Sequence, residues 1–395
     1  MKYFSPSKQI SAASIPAHLL NALGREGRAV AETFLAACPM HKRTPLCHVP
    51  LAGVASLHVK DESQRLGLGS FKALGGAYAV MTLVLARASD ELKRVLRPQD
   101  LLLPEVRAVA SSITVACATD GNHGRSVAAG ARICGCSAKI FIHEQVSIAR
   151  ADAIAAFGAS MVRVKGGYDD SVVAAADAAA SEGWQIVSDT SYEGYEAIPL
   201  TVMQGYTVMA GEAFDQLKQT HQLPPTHIFL QAGVGGMAAA VAAHALAVFR
   251  EQQLPKIVVV EPLRAACLFS SAKAGRAVTV PSDQPTLMAM LECYTPSPIA
   301  WQVLDALASH YLALEEEEAL SGMVHLADAN IVGGESGAVG LAGLIASMTS
   351  TETKNALDLT ADSRVLVFNT EGATDPIIYA DLLRRARTVI QPCET

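Results

Sequence analysis

Short apolar runs rich in β-branched residues alternate with longer, alanine-rich runs of helical period along most of the chain. "ITVACAT" precedes "GRSVAAGARICG", "AKIFIHE" precedes "SIARADAIAAFG", and "THIFLQAG" precedes "GMAAAVAAHALAVFR"; "KIVVVEP" and "RVLVFNTEG" add further strand-like runs. Parallel strands buried on both faces read as nearly unbroken apolar stretches, and the helices crossing back between them carry a helical period. The pattern predicts an α/β fold: two domains, each with an open, mostly parallel twisted sheet flanked by helices. Breaks at "LRPQDLLLPEVRAVASS" and near "YEGYEAIPLTVMQGY" predict a smaller α/β domain over 89–205, inserted into a larger one built from 1–88 and 206–395. A ligand is expected in the cleft between the two, at the carboxyl ends of the strands.

Composition narrows the function. The chain has 395 residues, half of them hydrophobic and only 5% aromatic, which suits a closely packed helix-and-sheet enzyme. The net charge of −7 comes from interspersed residues of both signs with no basic stripe, so no nucleic-acid partner is expected. The cysteines lack metal-ligand spacing, so no metal is expected and the thiols read as reduced. Cys267 and Cys293 flank a candidate substrate-side segment; they either pair or are unrelated core thiols. The N-terminus has no signal-peptide core, and the longest apolar run, "GMAAAVAAHALAVF", is too short to span a bilayer. A soluble cytoplasmic protein with no membrane partner is expected.

Four stretches carry chemistry. In "DESQRLGLGSFKALGGAYAV", Ser70 reads as an N-cap, with Lys72 in the first helical turn. There the macrodipole and any desolvation lower its pKa toward the neutral amine a Schiff base needs; a surface lysine is the alternative. In "LQAGVGGMAAA", Gly233, Gly235 and Gly236 let backbone N–H groups converge on one small phosphate; the spacing is not G-x-G-x-x-G. In "CATDGNHGRS", Asn122 offers an amide and the Gly121 turn an anion cradle, while Asp120 is either a helix cap or a base. His123, beside Asn122, reads as structural, because neighbouring side chains point different ways. In "FNTEGATDP", Thr370 offers a neutral hydroxyl at the end of a buried strand.

Taken in order, S-F-K, the G-N loop, the glycine cup and the late hydroxyl resemble the fold-type-II pyridoxal-phosphate enzymes, the tryptophan synthase β-like family, over roughly 44–376. The resemblance implies pyridoxal 5′-phosphate as cofactor, bound by Lys72 as a Schiff base with Phe71 alongside. Asn122 would contact the 3′ oxygen, Gly233, Val234, Gly235, Gly236 and Met237 would hold the phosphate, and Thr370 would face the ring nitrogen. A neutral hydroxyl there leaves the ring unprotonated and favours elimination over transamination. "SDTSYEGYEAIPLTVMQGY", "TLMAMLECYTPSPIAW" and "GGESGAVGLAGL" resemble the diaminopropionate ammonia-lyases; Ala373 departs from that pattern, which has aspartate there. That subfamily implies α,β-elimination of 2,3-diaminopropionate, D and L, to pyruvate and ammonia. Lys72 would be the base for one isomer and Asp120 for the other, and Asp189 would bind the β-ammonium, shuttle protons, or merely cap "TSY". Thr119, Asp120, Gly121, His123, Tyr168 and Asp189 would line the substrate, a small amino acid, and a homodimer is implied. A serine/threonine-type dehydratase or 3-hydroxyaspartate eliminase, a β-replacement synthase, and a non-catalytic small-amino-acid binder are the alternatives.

Overall fold

A computed structural model describes residues 1–7, 10–38 and 40–390. The apolar runs form strands, numbered in chain order: β1 Lys2–Phe4, β2 Leu46–His48, β3 Ser56–Asp61, β4 Thr114–Ala118, β5 Ser137–His143, β6 Ser160–Val164, β7 Gln185–Ile186, β8 His227–Gln231, β9 Lys256–Pro262, β10 Ala308–Leu314 and β11 Arg364–Asn369. They assemble two sheets, one seven-stranded in the order β1-β10-β9-β8-β11-β3-β2 and one four-stranded in the order β6-β5-β4-β7. The smaller sheet is wholly parallel; the larger is parallel at its centre, with antiparallel strands only at its edges, β1 on β10 and β2 on β3. This is the expected α/β architecture.

Its cause lies in the strand composition. β8, "HIFLQ", is buried along its whole length because helices cover both faces of a parallel sheet. On one side lies the helix Gly236–Phe249, which is apolar nearly all round and sits between the helices Ala197–Gln219 and Pro298–Leu307. Alanine at half of its positions permits this close approach. The helical stretch Phe71–Leu92 is long and apolar enough by composition to cross a membrane, yet 67% of that window is buried against protein.

The small sheet is built entirely within 114–186, and both expected domain limits, 88/89 and 205/206, fall inside helices, Gly76–Leu92 and Ala197–Gln219. The first of these helices packs along Asn122–Cys134, the helix that follows β4. The loops after β4, β8 and β11 all leave the carboxyl ends of their strands, and these loops meet at one cavity.

Candidate active site

The glycine loop after β8 runs straight into the helix Gly236–Phe249. Gly235, at φ +98, takes a left-handed conformation that side chains disfavour, and no side chain caps this helix end. The first-turn N–H groups are therefore left as donors beside the cavity wall, an anion site made of backbone. A Cβ at Gly233 would come within 2.8 Å of Cys293 Sγ, so that position has no room for a side chain unless Cys293 moves.

Opposite stands Lys72, in a short 3₁₀ turn, Phe71–Leu74. Ser70 precedes it in extended backbone and does not cap it through its side chain; it bridges instead to Glu371. The ammonium lies over the rings of Phe71 (5.3 Å) and Tyr206 (5.9 Å) and forms an ion pair with Asp189. Burial pushes Lys72 toward the neutral amine, but the Asp189 charge, aided by Tyr206 and the Asp189 hydrogen bond, outweighs it and raises the pKa above its ordinary value. The expected lowering is thus reversed: Asp189, distant in sequence, supplies a stronger field than the helix end. Burial likewise works against the Asp189 carboxylate, yet Lys72 and His123 hold it well below the usual range. Asp189 does not cap "TSY"; the Ser188 hydroxyl receives the Thr190 N–H at 3.1 Å.

The loop after β4 answers the question its aspartate raised. Thr119 Oγ1 accepts from the N–H groups of Gly121 (3.0 Å) and Gly124 (3.1 Å), so Thr119, and not Asp120, satisfies the start of the helix Asn122–Cys134. Gly121 has φ +153 and ψ −78, a conformation open to glycine. Asp120 is free to face the cavity, with His143 Nε2 3.0 Å from its Oδ1. Asn122 donates to Glu371 Oε2 at 2.5 Å. Burial, reinforced by the Glu335 charge and opposed by Arg150, pushes Glu371 up to about 7. His123 Nε2 meets the Val187 carbonyl at 2.8 Å, which fixes the ring proton there and leaves Nδ1 a buried, unpartnered acceptor 3.9 Å from Asp189. Burial lowers its pKa, which favours the neutral ring, and the Lys72 charge acts in the same direction against the pull of Asp189. His123 and Asn122 both reach the cavity because the helix begins at its wall.

One cavity thus gathers Phe71, Lys72, Thr119, Asp120, Asn122, His123, Tyr168, Asp189, Gly233, Val234, Gly235, Gly236, Met237 and Thr370; Gly121 shapes the loop but is not on the wall. Tyr168, at the start of the helix Tyr168–Glu182, has its phenol pushed up by burial and by the charges of Asp189 and Asp120. Cys293 lines the cavity too, its thiol pushed up to about 12 by burial and those same carboxylates. Cys267 and Cys293 are both free thiols, so they do not pair. Among the described residues, no group of His, Cys, Asp and Glu has the arrangement of a metal site.

Sequence reasoning missed Gln231, Tyr206, Met290 and Ser336 on the wall, and His143 behind Asp120. Two carried a signal: Gln231 is a polar end to an otherwise apolar strand, and His143 closes β5 at the carboxyl edge where ligand sites gather.

The chain is 37% identical over 365 residues to the diaminopropionate ammonia-lyase of Escherichia coli (strain K12), covering 89% of this chain and 90% of that protein. The crystal structure of the Escherichia coli enzyme in complex with an aminoacrylate-PLP azomethine reaction intermediate superposes with a TM-score of 0.86 at 33% identity, over 98% of this chain and 97% of that one. The processed form of threonine deaminase isoform 2 from Solanum lycopersicum shares the fold, at 19% identity and a TM-score of 0.69 over 98% of this chain and 99% of its own. The family model for the pyridoxal-phosphate dependent enzymes matches residues 38–371, and with that span enclosing the lysine, the glycine loop and Thr370 alike, the chain belongs to that family.

Proposed function

We propose that this enzyme eliminates ammonia from 2,3-diaminopropionate, accepting both the D and the L isomer, and releases pyruvate and ammonia. The residues fit the cofactor: side-chain-free Gly233, Gly235 and Gly236 leave backbone N–H groups for a phosphate, Lys72 offers the amine, and Asn122 and Thr370 offer polar contacts to the ring. Bound there, pyridoxal phosphate supplies a sink for the electron pair left at Cα when its proton departs.

The observation that carries the substrate assignment is the charge of the cavity wall. Lys72 is already matched by Asp189, and Asp120 adds a second carboxylate. That surplus suits a substrate with a cationic arm and disfavours a second acid such as 3-hydroxyaspartate. With the Gly121 N–H taken by Thr119 Oγ1, the first-turn N–H groups of Asn122 and His123 are the cradle for the substrate carboxylate. The two isomers present their α-protons to opposite sides, so one base cannot serve both well. Lys72 takes the proton from the L isomer and Asp120 from the D isomer. Asp189 holds the β-ammonium, with the free Nδ1 of His123 as a neighbouring acceptor.

The test is pyruvate release from D- and L-diaminopropionate, serine and threonine, with the wild type and Asp120→Asn. Asp120→Asn should suppress turnover of the D isomer far more than of the L isomer. Equal loss on both removes the two-base reading, and preference for serine or threonine removes the substrate. The same proposal takes the enzyme to be a cytoplasmic homodimer in which 89–205 form the smaller domain; sedimentation at working concentration checks the stoichiometry.

A further inference from the structure

His143 ends β5, and Asp120 stands just before the helix that carries Asn122 and His123. Its Nε2 is 3.0 Å from Asp120 Oδ1, and both side chains are largely enclosed, 16% and 22% exposed. That Oδ1 is buried and has no aligned hydrogen bond among the described residues. Nδ1 of the same ring receives the Gln145 N–H at 3.4 Å, which places the ring proton on Nε2, the atom facing Asp120.

We infer that His143 is the positioning residue of Asp120: its Nε2–H holds Oδ1 and leaves Oδ2 as the atom that takes the α-proton of the D isomer. This deepens the reading of Asp120 as a base and rests on it. The physical reason is that a carboxylate oxygen buried without a donor is costly, and a donated hydrogen bond favours the charged, proton-accepting form. Other groups around the pair do not supply that donor. Tyr168 and Cys293 feel the Asp120 charge and burial keeps both protonated, yet neither is hydrogen-bonded to it. Lys72 and Asp189 are matched to each other, and His123 Nε2 is spent on the Val187 carbonyl. Arg150 packs its methylenes beneath Gly121 and gives its guanidinium to Glu335, at 2.8 Å. Arg163 donates to the main-chain carbonyls of His143 (3.4 Å) and Glu144 (2.9 Å), while the Glu144 carboxylate receives the Gly166 N–H.

The experiment compares pH profiles of kcat/KM for D- and L-diaminopropionate in the wild type, His143→Ala, His143→Gln and Asp120→Asn. Losing one hydrogen bond to a charged group predicts that His143→Ala lowers D-isomer turnover by about tenfold or more at neutral pH. Because the unsupported carboxylate holds its proton more tightly, the acid limb for the D isomer moves to higher pH, while the limb for the L isomer stays in place. His143→Gln, which can still donate, restores most of the D-isomer rate. A D-isomer limb that does not move in His143→Ala, or equal losses on both isomers, overturns the role of His143. If Asp120→Asn itself spares the D isomer, the reading of Asp120 falls first, and the role of His143 falls with it.

Discussion

Thr370 Oγ1 lies 2.8 Å from Nε2 of Gln231, and that same nitrogen reaches the carbonyls of Gly337 (2.7 Å) and Phe368 (2.9 Å). Carbonyls only accept, so the amide must present its nitrogen to all three, and an amide nitrogen has no lone pair to offer in return. The Thr370 hydroxyl proton is therefore not used on Gln231 and is available to the cavity that Thr370 lines. An unprotonated ring nitrogen is the acceptor such a proton suits. Thr370→Val should weaken binding of pyridoxal phosphate by about 1 kcal/mol, with Thr370→Ser close to wild type, in an equilibrium absorbance titration. Gln231→Leu should cost about 1–3 kcal/mol of stability in urea unfolding, because the Phe368 carbonyl loses this donor, while the Gly337 carbonyl keeps the Thr370 N–H at 3.3 Å.

The pairing of Lys72 with Asp189 makes a prediction that needs no turnover. Since Asp189 is the main charge raising the Lys72 pKa, Asp189→Asn leaves burial to dominate and the amine deprotonates at lower pH. Covalent uptake of pyridoxal phosphate by Lys72, read as the mass of borohydride-reduced protein, should then persist to a pH about one unit or more lower than in the wild type. A wild-type-like midpoint would show that Asp189 does not control the lysine.

Much of this site is legible in the sequence because its parts are local. The strand–glycine–helix unit at 227–249 declares both its fold and its anion cradle within one continuous stretch, and the S-F-K and T-E-G pieces are equally compact. What the chain order hides is pairing across it. The Lys72 pKa is set by a carboxylate 117 positions away, and an expectation built from the local helix end therefore had the wrong direction. The cap reading of Asp120 falls only with the hydrogen bonds of Thr119, since both residues can cap and sequence does not say which oxygen turns inward. For His143 and Gln231 the sequence marks only a place at a strand's carboxyl end; the role of each comes from partners on another strand or loop.

Glu371 gives the protein a pH dependence of a definite sign. Its pKa is raised by folding, from 4.5 to about 7, so the folded state keeps a proton that the unfolded state releases. The stabilisation is complete below the unfolded value and is lost as pH rises through the folded one. Between pH ~5 and ~8 the wild type should lose up to about 3 kcal/mol from this group. Glu371→Gln, which cannot titrate, should lose correspondingly less. Urea midpoints at the two pH values decide it; the same pH slope in both proteins would remove Glu371 as the source.

Arg150 and Glu335 form a buried ion pair beside this carboxylate. The guanidinium comes from the helix Ile148–Ala155 beside the small sheet, Glu335 from the loop before the helix Val339–Thr349, and the 2.8 Å contact leaves them 10% and 6% exposed. Ser147 Oγ, capping the same helix, donates to Asp375 Oδ2 at 2.8 Å, so the crossing has a second strand. Breaking a buried pair from one side leaves its partner charged and unopposed, at about 3–5 kcal/mol. Arg150→Met should therefore destabilise strongly, and since Arg150 also opposes the rise of the Glu371 pKa, it should carry that titration to higher pH. Arg150→Met combined with Glu335→Leu removes both charges, and should recover most of the lost stability and return the Glu371 transition toward neutral pH. A double variant no more stable than the single one would mean that the guanidinium acts by packing alone, because only a charge left unpaired can be relieved by deleting its partner.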